Sequence, residues 1–224
     1  MTSMTLKAGD GHQFAAYEVA PAGTPRGGVV IVQEIFGVND HIRAVADGYA
    51  ADGYRCIAPA IFDRAERGVE LDYDRDNAQR GIALRQQINI AAMLADIAAC
   101  VEALKPAGKV AIVGYCLGGS LAWLAATRIA GLAAAIGYYG GMIAKHLDEK
   151  PKCPVLLHFG EEDGSITADD VAAIRAAVDP RLVQVFTYAG AGHAFNRAGN
   201  HAHHPPSAEL ARARSLAFLH EHVG

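Results

Sequence analysis

The chain has no long apolar run, no lysine–arginine cluster and no paired cysteines, and each absence removes a class of function. None of its apolar stretches reaches the roughly 20 residues that a bilayer-crossing helix needs. Residues Met1 to Gly11 lack the apolar segment of a signal peptide, so a reducing cytoplasm is the expected location. Net charge is −4 and no basic stripe is present, which argues against a nucleic-acid partner. The four cysteines, Cys56, Cys100, Cys116 and Cys153, are widely spaced, with neither a CxxC pair nor a zinc-binding interval, so a disulfide scaffold is not expected. There is no internal repeat and no low-complexity linker. At 224 residues, one domain spanning residues 1–224 is the simplest organisation.

What is present is an alternation of strand-like and helix-like segments. Met4 to Leu6 and Gln13 to Val19 read as a hairpin joined through Gly9-Asp10-Gly11. Gly28 to Val32 is a continuous apolar run, as expected of a strand covered on both faces. Asp40 to Ala51 has helical spacing, Tyr54 to Ala58 is strand-like, and a polar loop from Phe62 to Asp76 leads to a long helix over about Ala78 to Leu104. Strands at Lys109 to Val113, Leu132 to Tyr138, Val155 to Phe159 and Leu182 to Tyr188 follow, with helices at Val171 to Val178 and Ala208 to Val223. This order predicts an α/β fold with a mostly parallel sheet and ligands at the carboxyl ends of its strands.

One segment carries most of the chemical information. Gly114-Tyr115-Cys116-Leu117-Gly118 lies between the strand-like Val110 to Val113 and the helix-like Ser120 to Ala126. That is the strand–turn–helix setting of a nucleophile elbow, G-x-S-x-G, with sulfur in place of the serine oxygen. The tight turn needs residues without a Cβ around the nucleophile. The following helix N-terminus favours an anion, hence a reactive thiolate. The competing reading is a buried, inert thiol at a strand–helix junction.

The rest of the chain favours chemistry. Elbow hydrolases place nucleophile, acid and histidine in that chain order. Asp163 follows the strand ending at Phe159, and His193 follows the strand ending at Tyr188. His193 reads as the base and Asp163 as the group that orients it. Glu161, Glu162, Asp169 and Asp170 compete with Asp163 but are also explained as loop charges or first-turn helix residues. His201, His203 and His204 lack the carboxylate or cysteine that would complete a metal site, so no metal is expected. Tyr138 and Tyr139 read either as pocket-lining or as core aromatics.

The segments Gln33 to Asn39 (QEIFGVN), Gly114 to Gly119 (GYCLGG) and Gly192 to Arg197 (GHAFNR) resemble the dienelactone hydrolase family of the α/β-hydrolase fold, in matching order. The resemblance implies that Cys116 is the nucleophile, His193 the base and Asp163 the acid. It implies that Glu34 contacts the cysteine in the resting enzyme and that the N–H groups of Ile35 and Leu117 form the oxyanion hole. It also implies that Arg197 and a second arginine bind a substrate carboxylate. Arg80 is the match for the second, with Arg75 and Arg85 nearby, and Tyr138 is a further candidate for the pocket. The implied reaction opens dienelactone (carboxymethylenebutenolide) to maleylacetate through a thioester, with no cofactor and a small-molecule substrate as the partner. Another small acidic ester, a thiol redox sensor built on Cys116, and a noncatalytic binding protein are the alternatives. The oligomeric state is left open, a monomer included.

Overall fold

A computed structural model describes residues 2–224. Its centre is an eight-stranded sheet. Strands β1 (Thr2–Lys7) and β2 (Gln13–Val19) form the expected hairpin, and β3 (Gly28–Val32), β4 (Arg55–Pro59), β5 (Val110–Tyr115), β6 (Leu132–Tyr138), β7 (Val155–Gly160) and β8 (Val183–Tyr188) follow. The spatial order is β1-β2-β4-β3-β5-β6-β7-β8, antiparallel in the first three strands and parallel from β4 to β8. Every residue of β3 and β5 is buried, which explains why both read as uninterrupted apolar runs.

The chain leaves β3 for β4 on one side and later returns to β5 on the other. The carboxyl ends of β3 and β5 therefore flank a topological switch point, where open α/β sheets leave a crevice for ligands. Helices α1 (Asp40–Ala51), α2 (Arg75–Gln86), α3 (Ile90–Leu104), α4 (Leu117–Arg128), α5 (Ala168–Ala177) and α6 (Pro205–His222) connect the strands or close the chain.

The expected long helix from Ala78 to Leu104 is instead two helices, α2 and α3, bent by 92°. The break has a local cause. The Asn89 side chain accepts from the Ala92 N–H at 2.8 Å and caps a new helix. Asp74 caps α2 in the same way, through the Asn77 N–H at 2.8 Å, so α2 begins inside the segment expected to be loop. Among the described residues no single helix is long and apolar enough to cross a membrane.

Candidate active site

The turn between β5 and α4 places Cys116 at φ 54° and ψ −110°, in the left-handed half of backbone space. Such a conformation costs a non-glycine residue of order 1–3 kcal/mol and persists only where the surroundings enforce it. The surroundings here are backbone. A Cβ on Gly114 would come within 1.9 Å of the Gly118 carbonyl oxygen, and one on Gly118 within 2.2 Å of the Val32 oxygen. The Gly118 N–H donates to the Gln33 carbonyl at 3.0 Å and the Cys116 N–H to the Tyr138 carbonyl at 3.0 Å. The elbow is thus laced to the ends of both neighbouring strands, β3 and β6.

Three loops meet at the thiol. His193 Nε2 lies 3.2 Å from Cys116 Sγ, and His193 Nδ1 lies 2.7 Å from Asp163 Oδ2. The Asp163 side chain is fully buried, and its other oxygen accepts the N–H groups of Ser165 (2.8 Å) and Ile166 (3.2 Å). The four competing carboxylates fall elsewhere. Glu161 and Glu162 are exposed, Asp170 forms a capping box with Thr167, and Asp169 sits exposed in the first turn of α5. The Tyr139 ring backs the imidazole at 5.1 Å. Burial disfavours the charged form of His193, but its hydrogen bonds with Asp163 and Cys116 outweigh that cost and push its pKa up to about 10. The imidazole therefore holds its proton through the neutral range.

The pocket beside the thiol has a volume of about 380 Å³. Ile35, Ile82, Leu117, Met142 and Ile166 give it apolar walls, and among the described residues Arg85 is the only arginine or lysine that lines it. Ile35 and Leu117 both line it, and neither backbone N–H donates to a protein acceptor among the described residues.

Four candidates are placed differently from the sequence expectation. Glu34 does not hydrogen-bond Cys116. It is buried in an ion pair with Arg197, at 2.8 and 3.2 Å. The Arg197 guanidinium, stacked 4.0 Å from the Tyr73 ring centroid, is thereby occupied and does not line the pocket. Arg80 is half-exposed, ion-paired with Glu66 and outside the pocket. The Tyr138 side chain is wholly buried, and its hydroxyl meets Ser215 Oγ of α6 at 2.7 Å, so it is a core aromatic.

Arg85, a competitor of Arg80 by sequence, is the arginine that the helix turns inward. A Cβ on Gly81 would come within 1.9 Å of the Ile35 carbonyl oxygen, so α2 packs its backbone directly on the loop after β3. Residues four apart share a helix face. Arg85, four beyond Gly81, therefore faces the pocket, with Met142 Sδ 3.5 Å from its Nη2 and no carboxylate partner among the described residues. The helical spacing of Gly81 and Arg85 is visible in the sequence, but the contact of Gly81 with Ile35 that selects this face is not.

Cys56, Cys100 and Cys153 are free and buried, and burial raises all three thiols above their usual range. No second cysteine lines the Cys116 pocket. His204 of the histidine-rich loop bonds Ser207 Oγ at 2.7 Å.

Comparisons with known proteins agree with this architecture. A family model described as the dienelactone hydrolase family matches residues 14–223. A carboxymethylenebutenolidase of Pseudomonas putida is 34% identical, the alignment covering 96% of this chain and 94% of the relative. One of Cupriavidus pinatubonensis is 30% identical, over 93% and 92%. Among solved structures, a Klebsiella pneumoniae protein described as a candidate dienelactone hydrolase superposes with a TM-score of 0.84 at 28% identity, covering 98% of each chain. A Pyrococcus furiosus esterase shares the fold at 12% identity, with a TM-score of 0.73 over 100% of this chain and 93% of its own.

Proposed function

Since the chain belongs to the dienelactone hydrolase family and is a hydrolase of the α/β-hydrolase fold, we propose that it opens a small, mono-anionic lactone through a thioester on Cys116. Carboxymethylenebutenolide, opened to maleylacetate, is the substrate that the relatives' names support. The observation that carries the reading is the continuous hydrogen-bonded chain from Cys116 through His193 to Asp163.

The steps follow from these positions. The proton shared between Cys116 and His193 rests on His193 Nε2, as the raised imidazole pKa requires, and the Cys116 sulfur attacks the lactone carbonyl as a thiolate. The developing oxyanion is received by the Ile35 and Leu117 N–H groups, a contribution of about 3 kcal/mol per donor. Collapse expels the ring oxygen, which takes the proton from His193 and leaves a thioester. A water then gives its proton to His193 and attacks the thioester carbon. The sulfur departs and the acid is released, with one water added overall. Asp163 fixes the imidazole orientation and stabilises its charged form throughout.

The titration of His193 gives a pH dependence with a definite sign. Its raised pKa, about 10, means that the imidazolium needed to protonate the leaving oxygen persists through neutrality. kcat/KM is expected to fall as pH rises through about 10. Asp163→Asn removes one of the contributions that raise that pKa, so the alkaline limb moves to lower pH while kcat drops about 10⁴-fold. A pH–rate profile of both proteins measures this, and an unmoved limb would count against the assignment.

Arg85 gives the pocket its preference for an anion. A guanidinium meets a carboxylate through charge-assisted hydrogen bonds worth about 1.5–3 kcal/mol. Arg85→Gln is therefore expected to raise KM for the carboxylate-bearing lactone about 10- to 100-fold. Hydrolysis of an uncharged activated ester should be unaffected. Equal losses on both substrates would remove Arg85 from substrate recognition, whereas the same test on Arg80→Gln should leave both substrates alone.

A further inference from the structure

The strand ends that carry the site are tied together by a buried line of neutral side chains that the reaction itself does not use. Tyr138 on β6 and His158 on β7 are register partners, with ring centroids 4.5 Å apart. The Tyr138 hydroxyl meets Ser215 Oγ at 2.7 Å. Ser215 Oγ meets His158 Nε2 at 3.1 Å, and His158 Nδ1 meets the Tyr188 hydroxyl of β8 at 2.8 Å. Tyr138, His158 and Ser215 are wholly buried and Tyr188 nearly so. Burial, with the nearby Arg214 charge, lowers the His158 pKa to about 3, so its ring stays neutral, one nitrogen donating and the other accepting.

Three of the four members of this line, Tyr138, His158 and Tyr188, are joined through their backbones to different parts of the site. The Tyr138 carbonyl accepts the Cys116 N–H, and the His158 carbonyl accepts the N–H of Tyr139, whose ring backs His193. The Tyr188 carbonyl accepts the Glu161 N–H at the start of the Asp163 loop, and the adjoining Ala191 carbonyl accepts the Glu162 N–H. Helix α6 supplies Ser215, where the line crosses between strands.

We propose that Ser215, His158, Tyr138 and Tyr188 are positioning residues, which set the spacing of Cys116, His193 and Asp163 by holding the ends of β6, β7 and β8 in register. The role rests on the assignment of those three residues, but not on the identity of the substrate. A misplacement of the order of 1 Å at a reacting group costs up to about 100-fold in rate.

The test is Ser215→Ala, which removes one hydroxyl, with Ser215→Thr to restore it. Ser207→Ala is the control, because it removes a buried hydroxyl bonded to a histidine (His204 Nδ1, 2.7 Å) from the same helix but outside the line. Two properties are read: kcat and KM, and the pH profile of Cys116 alkylation by iodoacetamide. The second needs no substrate, so a wrong substrate and a wrong positioning role are told apart. Ser215→Ala is expected to lower kcat about tenfold or more with KM unchanged, and to displace the alkylation profile. Ser215→Thr should recover both properties, and Ser207→Ala should alter neither. A Ser215→Ala protein with wild-type kcat and a wild-type alkylation profile overturns the proposal, even if its melting temperature falls. An equal loss in Ser207→Ala does the same.

Discussion

Cys116→Ala is expected to lower turnover of the dienelactone by about 10⁶-fold while leaving the fold and substrate binding in place. The size follows from the division of labour in the site. His193 and Asp163 act on the reaction through the sulfur, 3.2 Å from the imidazole, so without it their contributions disappear together. What persists is the oxyanion-holding loop and the pocket, which in nucleophile-less hydrolases still give about 10³–10⁴ over water. Alanine also lacks the thiol's hydrogen-bonding demands and fits the same elbow. Stability should therefore stay near wild type, and the loss is read in kcat. His193→Ala should cost about as much as Cys116→Ala, and the double variant little more than either. Additive losses would mean that the two side chains work independently. Steady-state kinetics on the three variants, with circular dichroism for the fold, provides the comparison.

The second large effect is on stability. Arg197→Met is expected to destabilise the protein by about 3–5 kcal/mol, because it leaves Glu34 charged, buried and without its partner. Glu34 is almost wholly covered, and both of its oxygens are taken by Arg197. Methionine retains much of the apolar volume against Phe36 and Tyr73, so lost packing is the smaller part. The double variant Glu34→Gln with Arg197→Met should recover most of the loss, since replacing both members of a buried pair by neutral groups is often nearly free. Chemical denaturation of the four proteins measures the coupling. Additive losses would mean that the pair is not the source of the effect.

The sheet was legible because parallel strands buried on both faces write themselves as unbroken apolar runs, as at Gly28–Val32 and Val110–Tyr115. The elbow was legible because its geometry forbids a Cβ at Gly114 and Gly118. The break between α2 and α3 was missed because apolar residues continue on both sides of it, and the Asn89 cap is one short side chain within the run. The family pattern matches Arg80 rather than Arg85, but five residues along a helix is about 140° around it. The face that meets the pocket was fixed by the contact of Gly81 with Ile35, which is a tertiary fact. Tyr138 was ambiguous for a related reason: strand alternation gives two faces, and only α6, through Ser215, marks which one Tyr138 occupies. For Glu34 the motif named the residue but not its partner, since a carboxylate at a strand end can reach either a thiol or a guanidinium.

The redox-sensor alternative loses ground on the same geometry. A resolving thiol must reach the reactive one, and Cys56, Cys100 and Cys153 are buried, with their thiols raised above the usual range and none lining the pocket.

The central claim is that Cys116 carries the acyl group, and the most direct measurement is the mass of the enzyme quenched in acid during turnover of the dienelactone. The account predicts an adduct of the opened lactone's mass, located by peptide mapping on the segment containing Cys116, lost with hydroxylamine and absent from Cys116→Ala. Turnover accompanied by an adduct on any other residue, or undiminished turnover by Cys116→Ala, would contradict it.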